Sequence, residues 1–144
     1  MMKHSLALFL VLTFIAAGCG GNEPRPVDIF PEDLCAGCRM AISDARFASE
    51  IIATDGTVHK YDDIGCLLHA RQKMPAHEIA AIFVKDYETL TWVPYGRSTI
   101  VTAGIHTPMG SGRIAFASAD RAAAFVKAHP PEEKTGENCE ACTE

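Results

Sequence analysis

Two thiols and a thioether fall within six residues at Cys35-Ala36-Gly37-Cys38-Arg39-Met40. Soft sulfur ligands select Cu(I), zinc or iron–sulfur centres over hard cations. Structural zinc takes a closed set of four ligands from Cys and His. A methionine sulfur suits zinc poorly and Cu(I) well, so Met40, two places after Cys38, tilts the motif toward Cu(I) with zinc as the alternative. Gly37 lets the loop turn tightly enough for both thiols to face one point. Two other readings stay open. Cysteines of an exported chain commonly pair as disulfides, and Cys-x-x-Cys also serves as a redox pair. The redox motif belongs at the start of a helix in a βαβ setting, whereas Cys38 precedes a predicted hairpin. The order of preference is therefore soft metal, disulfide, redox catalysis.

A second sulfur sits in His106-Thr107-Pro108-Met109-Gly110-Ser111-Gly112, a loop whose other residues build no core. Met109 is a candidate ligand there, with an apolar cap on the nearby core edge as the competing reading. His106 reads first as a polar loop residue and second as a ligand; His59, His69 and His77 read as solvated. Cys66 follows Asp63 on a predicted helix, and a buried small apolar residue is the commonest state of a free cysteine.

The elements that must position these groups are legible as patterns. Residues 47–52 favour a strand, Asp55-Gly56 marks a hairpin turn, and Val58 to Tyr61 form the returning strand. Asp62 or Asp63 caps a helix through Lys73, with Ile64, Leu67 and Leu68 on one face and Pro75 past its end. Residues 79–84, 90–93 and 98–103 read as strands, and 104–112 as a loop. A short strand over 113–116 leads through Ser118, a cap, into a helix with Ala119, Ala122, Ala123 and Val126 at helical spacing, stopped by Pro130 and Pro131. This order suggests a ββα pattern used twice. Since a hairpin alone cannot bury both faces, the expectation is one α+β domain of two ββα-type units spanning 34–129.

Before that domain, Lys3 and His4 precede an apolar run from Leu6 to Ala17 that is short for a spanning helix and ends in small residues. Ala16-Ala17-Gly18-Cys19 resembles a bacterial lipobox, which implies a signal peptide over 1–18 and lipidation of Cys19. Several acyl chains at one terminus anchor stably, so the chain is expected on a membrane of the bacterial cell envelope, facing the periplasm. Pro24, Pro26 and Pro31 make 19–33 an extended linker. Residues 130–144 are acidic, poor in apolar side chains and expected to be disordered. The whole chain carries a net charge of −5 with no Lys/Arg cluster, which excludes nucleic acid as a partner. No activated nucleophile, phosphate-cradling glycine loop or spaced carboxylate pair is present, so hydrolase and transferase chemistry is not expected.

Taken together, Cys38-x-Met40, the segment Tyr61-Asp62-Asp63-Ile64-Gly65-Cys66, and Met109-Gly110 followed by Arg113-Ile114-Ala115-Phe116 resemble the NosL family of copper-binding lipoproteins, over roughly 34–129. The resemblance implies a Cu(I)-binding accessory protein rather than an enzyme, associated with nitrous oxide reductase maturation. It implies a copper-acceptor protein or an ABC-type maturation complex as partner. It implies Cys38, Met40 and Met109 as ligands, to which Cys35 is added; Asp63 and Cys66 match a family segment of unassigned role, and these two and the loop residue His106 are further candidates. Family members often carry Gly after the second Cys, where this chain has Arg39. The tail pair Cys139 and Cys142 lies outside the resemblance, and is open to metal capture, a disulfide or no role. The rival functions are a thiol-disulfide oxidoreductase using Cys35 and Cys38, and a structural lipoprotein bearing disulfides.

Overall fold

The computed structural model describes residues 23–131; the expected signal peptide, the lipidation site Cys19 and the tail with Cys139 and Cys142 lie outside the described residues. Strands β1 (Ser49–Ala53) and β2 (Val58–Tyr61) form the expected hairpin. Gly56 occupies its turn at φ +87°, a left-handed conformation that favours glycine, and Asp55 Oδ1 accepts from Thr57 N at 2.9 Å. Helix α1 (Ile64–Lys73) follows at once, with Asp63 as its N-cap. Its expected face is seated: Ile64 and Leu67 are buried, and Leu68 packs against the same core.

β3 (Ile79–Lys85) returns antiparallel to β1, and the short β4 (Trp92–Pro94) pairs with β3, giving a four-stranded sheet of order β2-β1-β3-β4. β5 (Thr99–Thr102) and β6 (Arg113–Phe116) make a separate two-stranded sheet, from which the chain enters α2 (Ala119–Ala128) through Ser118 as N-cap. Hairpin then helix thus occurs twice, and the chain is α+β as expected. Ala119 and Ala123, placed by spacing on the buried face of α2, are exposed. The seated residues are Ala122 and Phe125, because Phe125 reaches Tyr87 and Phe116, with ring centroids at 5.0 and 5.5 Å.

Asp86 ties the two units together. This buried carboxylate accepts from Thr89 N, Ala117 N and the Arg121 guanidinium, while Tyr87 N donates to Ala115 O of β6. Burial alone would raise its pKa, but these donors outweigh burial and hold it at about 2.

The segment expected as a free linker up to residue 33 is already docked at Val27. Ile51 of β1 faces α1, so its neighbour Glu50 faces the opposite side of the sheet. There Val27 N donates to the Glu50 carboxylate at 3.2 Å, Lys60 Nζ donates to Asp28 O at 2.7 Å and pairs with Asp33, and Phe30 lies under Lys60. No residue pattern signals this strap, because its proline spacing is equally that of a free spacer.

Glu50 is fully buried under the strap, and burial raises its pKa from 4.5 to about 7. A carboxyl raised on folding holds a proton that the unfolded chain has lost. Its contribution therefore favours the folded state at pH 4.5, declines as pH rises, and levels off above about 7. Glu50→Gln is expected to raise stability at pH 8 by about 2 kcal/mol and to leave it nearly unchanged at pH 4.5. Urea unfolding at the two pH values checks this; an equal effect at both contradicts it.

Candidate metal centre

The Cys35–Met40 loop is closed by its own backbone. Leu34 and Ala41 form an antiparallel bridge, Cys35 N donates to Met40 O at 2.8 Å, and Arg39 N donates to Cys35 O at 2.9 Å. Ala36 N donates to Lys60 O at 2.8 Å, which ties the loop to β2. Cys38 N donates to Cys35 Sγ at 3.4 Å. The residue after Cys38 is left-handed: Arg39 has φ +67°. A glycine takes that conformation without the penalty of roughly 1–2 kcal/mol that a Cβ brings, which gives a physical reason for the residue this chain lacks there. Arg39→Gly is expected to raise stability by about 1 kcal/mol, measured by thermal unfolding; a loss of stability would mean that the Arg39 side chain makes a stabilising contact outweighing the strain.

β2 and α1 bring the other groups to this loop. Asp62 follows Tyr61 directly, and Cys66 lies in the first turn of α1. One ligand atom from each of Cys35, Cys38, Asp62 and Cys66 lies within 4.8 Å of all the others. Cys35 and Asp62 are buried, whereas Cys38 and Cys66 are half-buried. Gly37 backs the cluster, since a Cβ there would meet Cys66 Cβ at 3.4 Å and Cys35 Sγ at 3.7 Å. All three described cysteines are unbridged.

Crowding of thiols and a carboxylate disfavours ionisation of Cys38 and Cys66. Burial pushes the Cys38 thiol up, and Cys35 and Asp62 add to the shift against an opposing backbone hydrogen bond at Met40. Burial also pushes Cys66 far up, helped by the charges of Cys35 and Asp62. A bound cation reverses this balance by stabilising the anionic forms.

The Met109 loop is pinned over the cluster by Asp63. Its Oδ1 accepts from Gly65 N at 2.6 Å as the helix cap, and its Oδ2 accepts from Thr107 Oγ1 at 2.7 Å and Met109 N at 3.0 Å. Thr107 Oγ1 in turn accepts from Gly112 N at 3.1 Å. Burial opposes ionisation of Asp63, but these donors together with Ser111 outweigh it and hold the carboxyl below the usual range. Asp63, a candidate ligand by resemblance, is thus engaged as a clamp and is not among the four clustered ligand groups. Gly65 leaves room for the same loop, because a Cβ there would sit 2.9 Å from Ser111 Cβ.

Met109 lines an open cavity of about 600 Å³ together with Cys38, Cys66 and His69. Met40 and His106 line a second hollow that also reaches Asp62. Both methionines are unusually open for their type, at 46% for Met40 and 48% for Met109. The structure therefore groups Cys35 with Cys38, Asp62 and Cys66, sets Met109 on the cavity that Cys38 and Cys66 line, and places Met40 and His106 at a second hollow that also reaches Asp62. Sequence reasoning missed Asp62 as a ligand, having read it only as a possible cap, and carried Cys66 only as a further candidate behind the four preferred ligands. The available signal was their shared segment Asp62-Asp63-Ile64-Gly65-Cys66, in which only one carboxylate can cap the helix.

The family model for NosL matches residues 26–133. The chain belongs to the NosL family. Among solved structures, this NosL chain is similar to the crystal structure of the copper chaperone NosL from Shewanella denitrificans, with a TM-score of 0.65 and 15% identity. The likeness covers 75% of this chain and 90% of the Shewanella protein, and at that identity it speaks for the fold. No curated protein sequence matches the chain. The NosL match begins at residue 26, beside the point where the strap docks.

Proposed function

We propose that this NosL-family chain is a membrane-anchored Cu(I)-binding protein that holds copper outside the cytoplasm and delivers it to an acceptor. The observation that carries the proposal is the convergence of the Cys35–Cys38 loop with Cys66 at an open cavity where Met109 also lies. The solved relative in the same fold is a copper chaperone. The donors are soft, and Cu(I) accepts a shell of few sulfur ligands.

In this reading Cys35 and Cys38 grip the ion from within and Met109 completes the shell at the mouth. Met40, with His106 beside it, is the rim ligand that meets an incoming or departing ion. An acceptor's ligand enters through the open cavity before Met109 leaves, so the ion is exchanged without being set free. Thiol protons are released as copper binds. Anchoring at Cys19, a periplasmic location, and a copper-acceptor protein or ABC-type maturation complex as recipient belong to this proposal. Among the described residues no helix is long and apolar enough to cross a membrane.

A thiol-disulfide oxidoreductase needs a thiol of depressed pKa, whereas burial pushes Cys38 upward. The test is a titration of reduced protein with Cu(I) against a chromophoric chelator. One tightly held equivalent is expected, weakened at least about tenfold by Met109→Leu, an exposed change that leaves stability within about 0.5 kcal/mol. Unchanged affinity in that variant would remove Met109 from the shell, and no tight equivalent in the parent would end the copper reading.

A further inference from the structure

We propose that Cys35, Cys38, Cys66 and Asp62 also form a closed tetrahedral site for a divalent d¹⁰ cation, Zn²⁺ being the natural occupant. This ligand set differs from that of the Cu(I) site, with which it shares thiols. Asp62 carries the argument. It is 2% exposed, and among the described residues its only side-chain hydrogen-bond partner is the Cys38 thiol, at 3.4 and 3.5 Å from its two oxygens. A thiol is a weak donor, so the carboxylate is buried with little to balance it. Its neighbour Asp63, equally buried, is satisfied by Gly65 N, Thr107 Oγ1 and Met109 N. Two adjacent carboxylates thus have opposite fates, and the one without donors faces three thiols.

The dimensions fit a metal of this class. Zn–S bonds of about 2.3 Å and a Zn–O bond of about 2.1 Å give a tetrahedron with S–S edges of roughly 3.8 Å and S–O edges of roughly 3.6 Å. The Cys38–Asp62 separation already matches the shorter edge, and no pair among the four ligand groups exceeds 4.8 Å. Small rotations of the thiols close the remainder. Up to three thiol protons pass to solvent as the ion enters. The N-terminus of α1 beneath Cys66, the Cys38 N–H on Cys35 Sγ, and Lys73 on the cavity wall offset the excess negative charge.

Softness separates the two cations. Carboxylate oxygen is a hard donor that Cu(I) disregards and a divalent ion accepts. A closed four-ligand site also releases slowly, so the divalent ion holds the thiols until Cu(I) with its sulfur preference displaces it.

The experiment titrates reduced, metal-free protein with Co²⁺ as a spectroscopic probe and with Zn²⁺ against a chelator, alongside Cu(I). Tetrahedral d–d bands with thiolate charge transfer are expected for Co²⁺, reduced in Cys66→Ser. Asp62→Asn, an isosteric change, is expected to lower Zn²⁺ affinity by more than the roughly 10–100-fold that loss of an outer-shell partner brings, while Cu(I) affinity moves less than about threefold. Octahedral Co²⁺ without charge transfer, or Zn²⁺ affinity indifferent to Asp62→Asn, overturns the proposal. An equal fall for both metals also overturns it, because Asp62 would then support the fold rather than the ion. Tight Zn²⁺ with no Cu(I) binding would instead defeat the copper reading and leave this one standing.

Discussion

Cys38→Ser is expected to lower Cu(I) affinity by at least about two orders of magnitude while the protein stays folded. Removing an outer-shell partner alone costs a metal site roughly 10–100-fold, and Cys38 is placed as a direct ligand. It stands on the cavity wall with Cys66 and Met109, it touches Asp62, and its backbone N–H supports Cys35 Sγ. The thiol is only half-buried, so a hydroxyl in its place retains access to water and stability falls by less than about 1 kcal/mol. Cys35 is a poorer choice for this test, because it is fully buried in the core and a serine there would strand a hydroxyl at a cost of about 1–3 kcal/mol. Competition with a Cu(I) chelator and a parallel thermal melt measure the two effects. A folded Cys38→Ser protein with parental affinity would contradict the assignment.

Asp63→Ala is expected to be the most damaging single change outside the sulfur ligands, lowering stability by about 3–5 kcal/mol. Three donors depend on this carboxylate: Gly65 N at the start of α1, the Thr107 hydroxyl, and Met109 N. Each buried donor left unsatisfied costs about 1–3 kcal/mol, offset where the freed loop reaches water. Asn does not rescue the site, because its amide turns a donor toward donors. The loop bearing Met109 is released at the same time, so Cu(I) affinity falls although no ligand has changed. Gly65→Ala strikes the same joint from the other side, since its new Cβ meets Ser111. The pH dependence has a definite sign. Asp63 is held below the usual carboxylate range, so its contribution is complete at neutral pH and is lost as pH falls through its folded value. Denaturant unfolding of Asp63→Ala against the parent at pH 7 reads the main effect, and a loss below about 1 kcal/mol would refute the clamp.

Local chemistry was legible in the sequence wherever a few neighbouring residues decide it. Asp55-Gly56 announces the first hairpin, the Asp62-Asp63 pair and Ser118 announce two helix starts, and Pro130 ends the last helix. Long-range partnership was not legible. The strap over Glu50 joins residues 23 positions apart through a buried carboxylate that reads in the sequence as one more surface charge. β3 pairs with β1 and not with β2, its predecessor along the chain. The metal centre shows both sides of this. Cys35 and Cys38 announce themselves by spacing, whereas Asp62 and Cys66 join them only because β2 ends beside the loop. Which of two adjacent aspartates caps the helix determines which one is left facing the thiols, and residue type alone cannot tell Asp62 from Asp63. Arg39 is a different case. Its left-handed backbone explains why glycine suits that place, but nothing in the sequence says so.

Sulfur atoms from separate parts of the chain are expected to meet on one Cu(I). X-ray absorption at the copper edge of the protein loaded with one equivalent reads that shell. Sulfur alone is expected in it, with one sulfur lost in Met109→Leu. A shell dominated by nitrogen or oxygen, or one unchanged by that substitution, would contradict it.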